Sequence, residues 1–136
     1  MLDTLSTIDL MALLIRAEAD DQPEAGKIAV AYTLLTRAAL RPWRYGRDVR
    51  AVALKPMQYS CFNHPRHWQR FYAPQAPAWA AAQALALAVL NGEMANPAPG
   101  ATHYYNPALV TPFWAKPEYA KPIAEIGDHV FMQEIV

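Results

Sequence analysis

The segment Ile8-Asp9-Leu10-Met11-Ala12-Leu13-Leu14-Ile15-Arg16-Ala17-Glu18-Ala19 decides how the rest of this chain is read. At helical period Met11, Leu14, Ile15 and Glu18 fall at i, i+3, i+4 and i+7, so a carboxylate continues the apolar stripe. Burying an ionised carboxylate is costly unless it is paired, and the usual relief is a raised pKa that keeps the proton on. A glutamic acid that holds its proton near neutral pH is suited to general-acid catalysis. The plainer alternative is a helix-end Glu that turns to solvent or pairs with Arg37.

Working outward, Ser6-Thr7-Ile8-Asp9 has the spacing of a capping box, which starts this helix near Thr7 and runs it to about Ala19. Asp20-Asp21-Gln22-Pro23-Glu24 breaks it, and Pro23 opens a second helix to Leu40 that buries Ile28, Ala31, Leu35 and Ala38. Glu18 is thereby expected at the mouth of a tight acidic corner. Asp48 is placed to cap a short helix over Val49, Val52 and Ala53, ended by Pro56. Met57-Gln58-Tyr59-Ser60-Cys61-Phe62 alternates and predicts a short strand, and the chain from there to Pro77 reads as irregular. Pro77 to Asn91, closed by Gly92, is apolar almost all round and predicts the central buried helix. Thr102–Asn106 reads as a strand by its β-branched and aromatic content. Ile123–Ile126 and His129–Met132 flank Gly127-Asp128, a two-residue hairpin signal. The expected fold class is α+β: one mainly helical domain over residues 1–136 with a small antiparallel β-sheet packed beside the helices.

Composition limits what such a domain can do. The 12 basic and 12 acidic side chains cancel, leaving no electrostatic footprint for nucleic acid or an anionic membrane. Four Trp, seven Tyr and 12 Pro instead suit flat, polar, uncharged ligands such as sugars. Cys61 is the sole cysteine, which excludes an internal disulfide. No apolar run reaches the roughly 18 uncharged residues of a membrane-spanning helix, so no membrane insertion is expected. No Lys or Arg precedes Arg16, so synthesis in the cytoplasm without a signal peptide is the expectation.

Four segments, in order, carry a family resemblance. Ile15-Arg16-Ala17-Glu18-Ala19 with Gly26-Lys27-Ile28-Ala29-Val30-Ala31 and Thr36-Arg37 is similar to the opening of the spore cortex-lytic enzyme family of bacterial cell-wall hydrolases. Gln58-Tyr59-Ser60-Cys61-Phe62 resembles that family's Gln-Phe-Ser-Cys-Trp segment, Gly100-Ala101-Thr102-His103-Tyr104 its Gly-Ala-Thr-His-Tyr segment, and Ile126-Gly127-Asp128-His129-Val130-Phe131 its ending. The resemblance runs from about Leu10 to Met132. It implies a lysozyme-like domain that cleaves peptidoglycan between N-acetylmuramic acid and N-acetylglucosamine, with Glu18 in the place of the catalytic glutamate. The chain departs from the pattern where Asp20-Asp21-Gln22 replaces Arg-Gly-Glu, Ala17 a Gly, and Phe62 a Trp.

Hydrolysis of a glycosidic bond normally uses two carboxyls set roughly 5 to 9 Å apart, whereas a lytic transglycosylase needs one acid because the muramic acid C6 hydroxyl is the nucleophile. Asp20, Asp21, Glu24, Asp48 and Asp128 are the available second carboxylates, none on an apolar face, so a single-acid mechanism is expected and a two-carboxylate muramidase is the alternative. Substrate contacts are expected from Gln58, Tyr59 and Ser60, from His103, Tyr104, Tyr105 and Asn106, and from Trp114 and His129, with Tyr104 packing inward. No cofactor or metal is expected, since the His103 and His129 pair comes with no His-Glu-x-x-His helix. A Cys61 nucleophile or a non-catalytic wall-binding module are further alternatives, the former opposed by the habit of lone cysteines to act as small buried hydrophobes. The implied site of action is the bacterial cell wall, and the compact form resembles a phage endolysin released by a partner such as a holin.

Overall fold

The computed structural model describes residues 1–135, so Val136, the end of the expected domain range, lies outside the described residues. Helix α1 spans Thr7–Ala19, and the Ser6 side chain accepts from the Asp9 amide as its cap. The Asp9 carboxylate does not turn back to close a capping box; it accepts from Gln83 Nε2 at 2.9 Å and so ties α1 to a later helix. Helix α2 runs Glu24–Leu40 behind Pro23, and two short helices follow, α3 at Pro42–Tyr45 and α4 at Val49–Leu54, the latter capped by Asp48. Helix α5 covers Pro65–Trp68 and α6 covers Pro77–Leu90. Strands β1 (His103–Tyr105), β2 (Ala120–Ile126) and β3 (His129–Glu134) form one antiparallel sheet in the order β1-β3-β2. A mainly helical α+β architecture with a small antiparallel sheet is therefore what the chain adopts.

Two expectations are corrected. The central buried helix is α1, where Leu10 through Ile15 are all at most 1% exposed. Helix α6 buries only Trp79, Ala82, Ala86 and Val89, a one-sided stripe, and leaves Leu87 exposed. Half of its remaining residues are alanine, too small a side chain to demand burial, so apolar composition overstated how deep the helix lies. The second correction is Met57–Phe62, which is no strand. Pro56 and Met57 turn the chain and Ser60–Phe62 forms a 3₁₀ turn, while β3 already has a partner on each side. The burial alternation behind that expectation is real, with Tyr59 and Cys61 inside, but a turn produces it.

The sheet is clasped onto the helical corner by its hairpin. Asp128 N donates to Gln22 Oε1 and Gln22 Nε2 donates to Asp128 Oδ2, both at 2.9 Å, so one buried glutamine reads both the backbone and the side chain of the turn. Gly127 makes this approach possible. Its φ is 58°, and a Cβ there would stand 2.4 Å from Gln22 Oε1 and 2.8 Å from Pro23 Cδ. Gly92, which closes α6 at φ 71°, has open space where its Cβ would be. Substitution by alanine therefore separates backbone strain from crowding. Gly92→Ala is expected to lower unfolding free energy by about 1 kcal/mol, the left-handed cost alone, and Gly127→Ala by roughly 2 kcal/mol more. Urea unfolding midpoints of the two variants check this, and equal losses would show that the clasp tolerates the extra atom.

Candidate functional site

Three segments converge where α1 ends. Glu18 comes from the last turn of α1, Gln58, Tyr59 and Ser60 from the turn after α4, and His103 and Tyr104 from β1. With Arg37, Met57, Asn63 and Trp114 they line a cavity of about 210 Å³. The buried stripe of α1 does end in the carboxylate: Met11, Leu14 and Ile15 are buried, and Glu18 is partly so.

The electrostatics of Glu18 are simple. Burial raises its pKa, and the Tyr104 hydroxyl, which donates to Oε1 at 3.0 Å, partly opposes the rise by favouring the ionised form. Arg37 does not pair with it. That guanidinium, 3% exposed, donates from Nε to the Thr102 carbonyl at 2.7 Å and from Nη1 to both the carbonyl and the side-chain oxygen of Gln58 at 3.3 Å. It lies 4.4 Å from the Tyr59 ring centre and 5.2 Å from that of Tyr45, between two aromatic faces. The plainer sequence reading of Glu18, a partner for Arg37, is thus not what the fold builds.

Beside the acid, a histidine and a cysteine are kept neutral. Burial, with the Arg37 and Arg44 charges, pushes His103 down to about 3, and its Nδ1 lies 2.8 Å from the Thr102 hydroxyl. Burial pushes the Cys61 thiol up, with the Glu18 charge adding to the effect, so no thiolate is available as a nucleophile near neutral pH. Tyr59 sits in the core with its hydroxyl 2.9 Å from that of Thr33, and only part of it faces the cavity.

The expected contacts divide in two. Gln58, Tyr59, Ser60, His103, Tyr104 and Trp114 share the cavity with Glu18. Trp114 leans on His103 at 4.7 Å between ring centres and meets Tyr105 edge-on at 5.6 Å. Tyr105 itself lines a neighbouring groove with residues of β2 and β3, Asn106 spends its side chain on the Ala108 amide, and His129 packs beside Tyr104 and Phe131. Those three residues do not line the cavity. Arg37, Met57 and Asn63 do, although none was among the expected substrate contacts; Arg37 had its signal in the family resemblance and as a candidate partner of Glu18, and Met57 in a proline turn, Lys55-Pro56-Met57-Gln58, with a non-glycine at its third position.

Among the described residues no second carboxylate lines this cavity. Asp20 is bonded to Arg16, Asp21 accepts from Gln22, Asp48 caps α4 and Asp128 is held in the hairpin clasp. Among the described residues no group of three or more His, Cys, Asp or Glu is arranged to hold a metal ion. The larger groove of about 460 Å³ between α1, α2 and α6 has an alanine floor and a rim where Arg16 and Asp20 pair. Its lining is aliphatic and charged, with Glu24 and Lys27 beside that pair, and among the described residues includes no aromatic ring and no side-chain amide.

Comparison with known proteins fits this arrangement. Residues 21–132 match the Cell Wall Hydrolase family, with Glu18 just ahead of the matched stretch. The spore cortex-lytic enzyme of Halalkalibacterium halodurans is 32% identical over 126 residues, which is 91% of this chain but 34% of the relative, so the chain spans about a third of that protein's length. The catalytic domain of the germination-specific lytic transglycosylase SleB from Bacillus anthracis superposes with a TM-score of 0.73 at 24% identity, covering 96% of this chain and 98% of that domain. The catalytic domain of the Bacillus cereus SleB protein gives 0.71 at 25% identity, covering 93% and 89%. The match over most of the chain, on a fold shared with two such catalytic domains, makes this protein a member of the Cell Wall Hydrolase family.

Proposed function

We propose that this chain cleaves the glycan strand of peptidoglycan between N-acetylmuramic acid and N-acetylglucosamine as a lytic transglycosylase, with Glu18 as its single catalytic acid. The observation that carries the reading is a carboxyl whose pKa is raised by burial, standing, among the described residues, without a second carboxylate in a cavity of amide, hydroxyl and aromatic groups. The names of the relatives, a cortex-lytic enzyme and a lytic transglycosylase, support the same reaction class.

The chemistry needs one proton carried in both directions. Protonated Glu18 donates to the glycosidic oxygen as the bond from muramic acid C1 to that oxygen breaks, leaving positive charge on the ring. The C6 hydroxyl of the same sugar then attacks C1, and its proton returns to the Glu18 carboxylate. The products are a 1,6-anhydromuramic end and a free N-acetylglucosamine hydroxyl, with the acid restored. Tyr104 serves the middle of this cycle, because its hydroxyl donates to the carboxylate while the proton is away. Gln58, Ser60 and neutral His103 offer hydrogen bonds to sugar hydroxyl and acetamido groups, and Trp114 offers a face for a pyranose ring.

Two outcomes are expected for the reaction. Mass spectrometry of digested walls should show anhydromuramic ends; reducing muramic acid ends without them would overturn the transglycosylase form in favour of hydrolysis. Glu18→Gln should lower clearing of a wall suspension by at least about a thousandfold, and unchanged clearing would mean a binding module.

The same substitution has a signed effect on stability. A carboxyl with a raised folded pKa stabilises the fold fully below its ordinary value of 4.5 and loses that contribution as pH rises through the raised value. Glu18→Gln should therefore melt at or above the wild-type temperature at pH 8, with the advantage shrinking as pH is lowered toward 4. Tyr104→Phe removes the one interaction that lowers this pKa. The alkaline limb of kcat/KM should move to higher pH in that variant, with a matching shift in the carboxyl titration followed by NMR; an unmoved limb would sever Glu18 from the rate.

A further inference from the structure

Lys55-Pro56-Met57-Gln58 is a turn in which the Gln58 amide donates to the Lys55 carbonyl at 3.3 Å, Pro56 holds the second position, and Met57 has a φ of 66° at the third. This is the pattern of a type II turn, whose third position takes glycine or asparagine because a side chain there is crowded by its own backbone. Met57 is the only non-glycine with positive φ among the described residues. Packing does not explain it, since the residue is 78% exposed. A strained residue with no compensating core contact points to function.

Its surroundings say which function. Met57 lines the cavity that holds Glu18, beside Gln58, Ser60 and Asn63. The turn is fixed on both flanks: Asn63 Oδ1 accepts from the Met57 amide at 3.2 Å, and Gln58 is held by Arg37 through its carbonyl and its side chain. A flexible, polarizable thioether is thus set at the rim of a pocket whose neighbouring groups are amides and a hydroxyl. An acetamido group has that same composition, a hydrogen-bonding amide ending in a methyl. We propose that Met57 contacts the N-acetyl methyl of the sugar bound beside Glu18 and selects for N-acetylated glycan; the inference rests on the reading of this cavity as the glycan cleft.

The test compares wild type, Met57→Asn and Met57→Gly on intact sacculi and on chemically de-N-acetylated sacculi. Both replacements suit the backbone, so the variants should fold, with the Met57→Asn melting temperature at or above that of wild type. The preference in kcat/KM for the acetylated substrate should fall about tenfold in each variant, while the pH profile set by Glu18 stays in place. An unchanged preference, a preference absent from wild type, or equal losses on both substrates with lowered melting temperature would overturn the role of Met57. Failure of the wild type to release anything from either substrate would instead bring down the glycan-cleft reading, and this inference with it.

Discussion

The hydrogen bond from Tyr104 to Glu18 spans 86 positions of sequence and joins the two layers of the molecule at one point. It requires α1 to deliver a carboxyl at its last turn and β1 to deliver a phenol at the middle of a three-residue strand. Neither element achieves this alone. β1 is placed by pairing with β3, Tyr104 opposite Phe131, and β3 is placed by the hairpin that clasps Gln22 just past the end of α1. The corner, the hairpin and the acid are therefore parts of a single arrangement. A shift of one residue in the β1–β3 register would turn Tyr104 to the other face and leave Glu18 with burial and no donor.

The helical half of this arrangement was legible in the chain because its signals are local. Ser6 and Asp48 cap where their side chains predict, Pro23 and Gly92 mark ends, and Gly127-Asp128 marks the hairpin. Glu18 was visible as a polar residue in an apolar stripe, a contradiction that only its surroundings resolve. Depth was not legible. The runs Leu10–Ile15 and Ala80–Leu90 are similarly apolar, and only the packing of α2, α4 and α6 around α1 shows which of them is enclosed. The turn at Pro56–Phe62 mimicked a strand because burial at every second residue is what a strand and a tight turn both produce.

The site was half legible for a related reason. Gln58, Ser60, His103 and Trp114 line the cavity with Glu18, whereas Tyr105, one step past Tyr104 and on the strand face opposite to it, lines the neighbouring groove instead. Asn106 is used locally, its side chain closing the next turn on Ala108, as asparagine commonly does after a strand. Met57 escaped because a backbone dihedral has no direct mark in sequence; its only trace is a methionine where a proline turn would normally carry glycine.

Arg37 shows how the fold keeps the acid an acid. A guanidinium lining the same cavity as Glu18 would, if paired with it, hold the carboxyl ionised and remove it as a proton donor. The structure prevents this by occupying Arg37 with other acceptors. Its Nε bonds the Thr102 carbonyl at the start of β1, its Nη1 bonds Gln58, and two tyrosine rings enclose it. The charge is satisfied by carbonyl oxygens and ring faces, which carry no full negative charge of their own. In doing so Arg37 ties together the two segments that flank the acid, the 58–60 turn and β1. A cation has become the strut of the cavity, its field adding to the burial that keeps His103 neutral, and Glu18 is left with a phenol as its partner. The result is one titrating group, held where burial raises its pKa and where a single donor is ready for the moment its proton leaves.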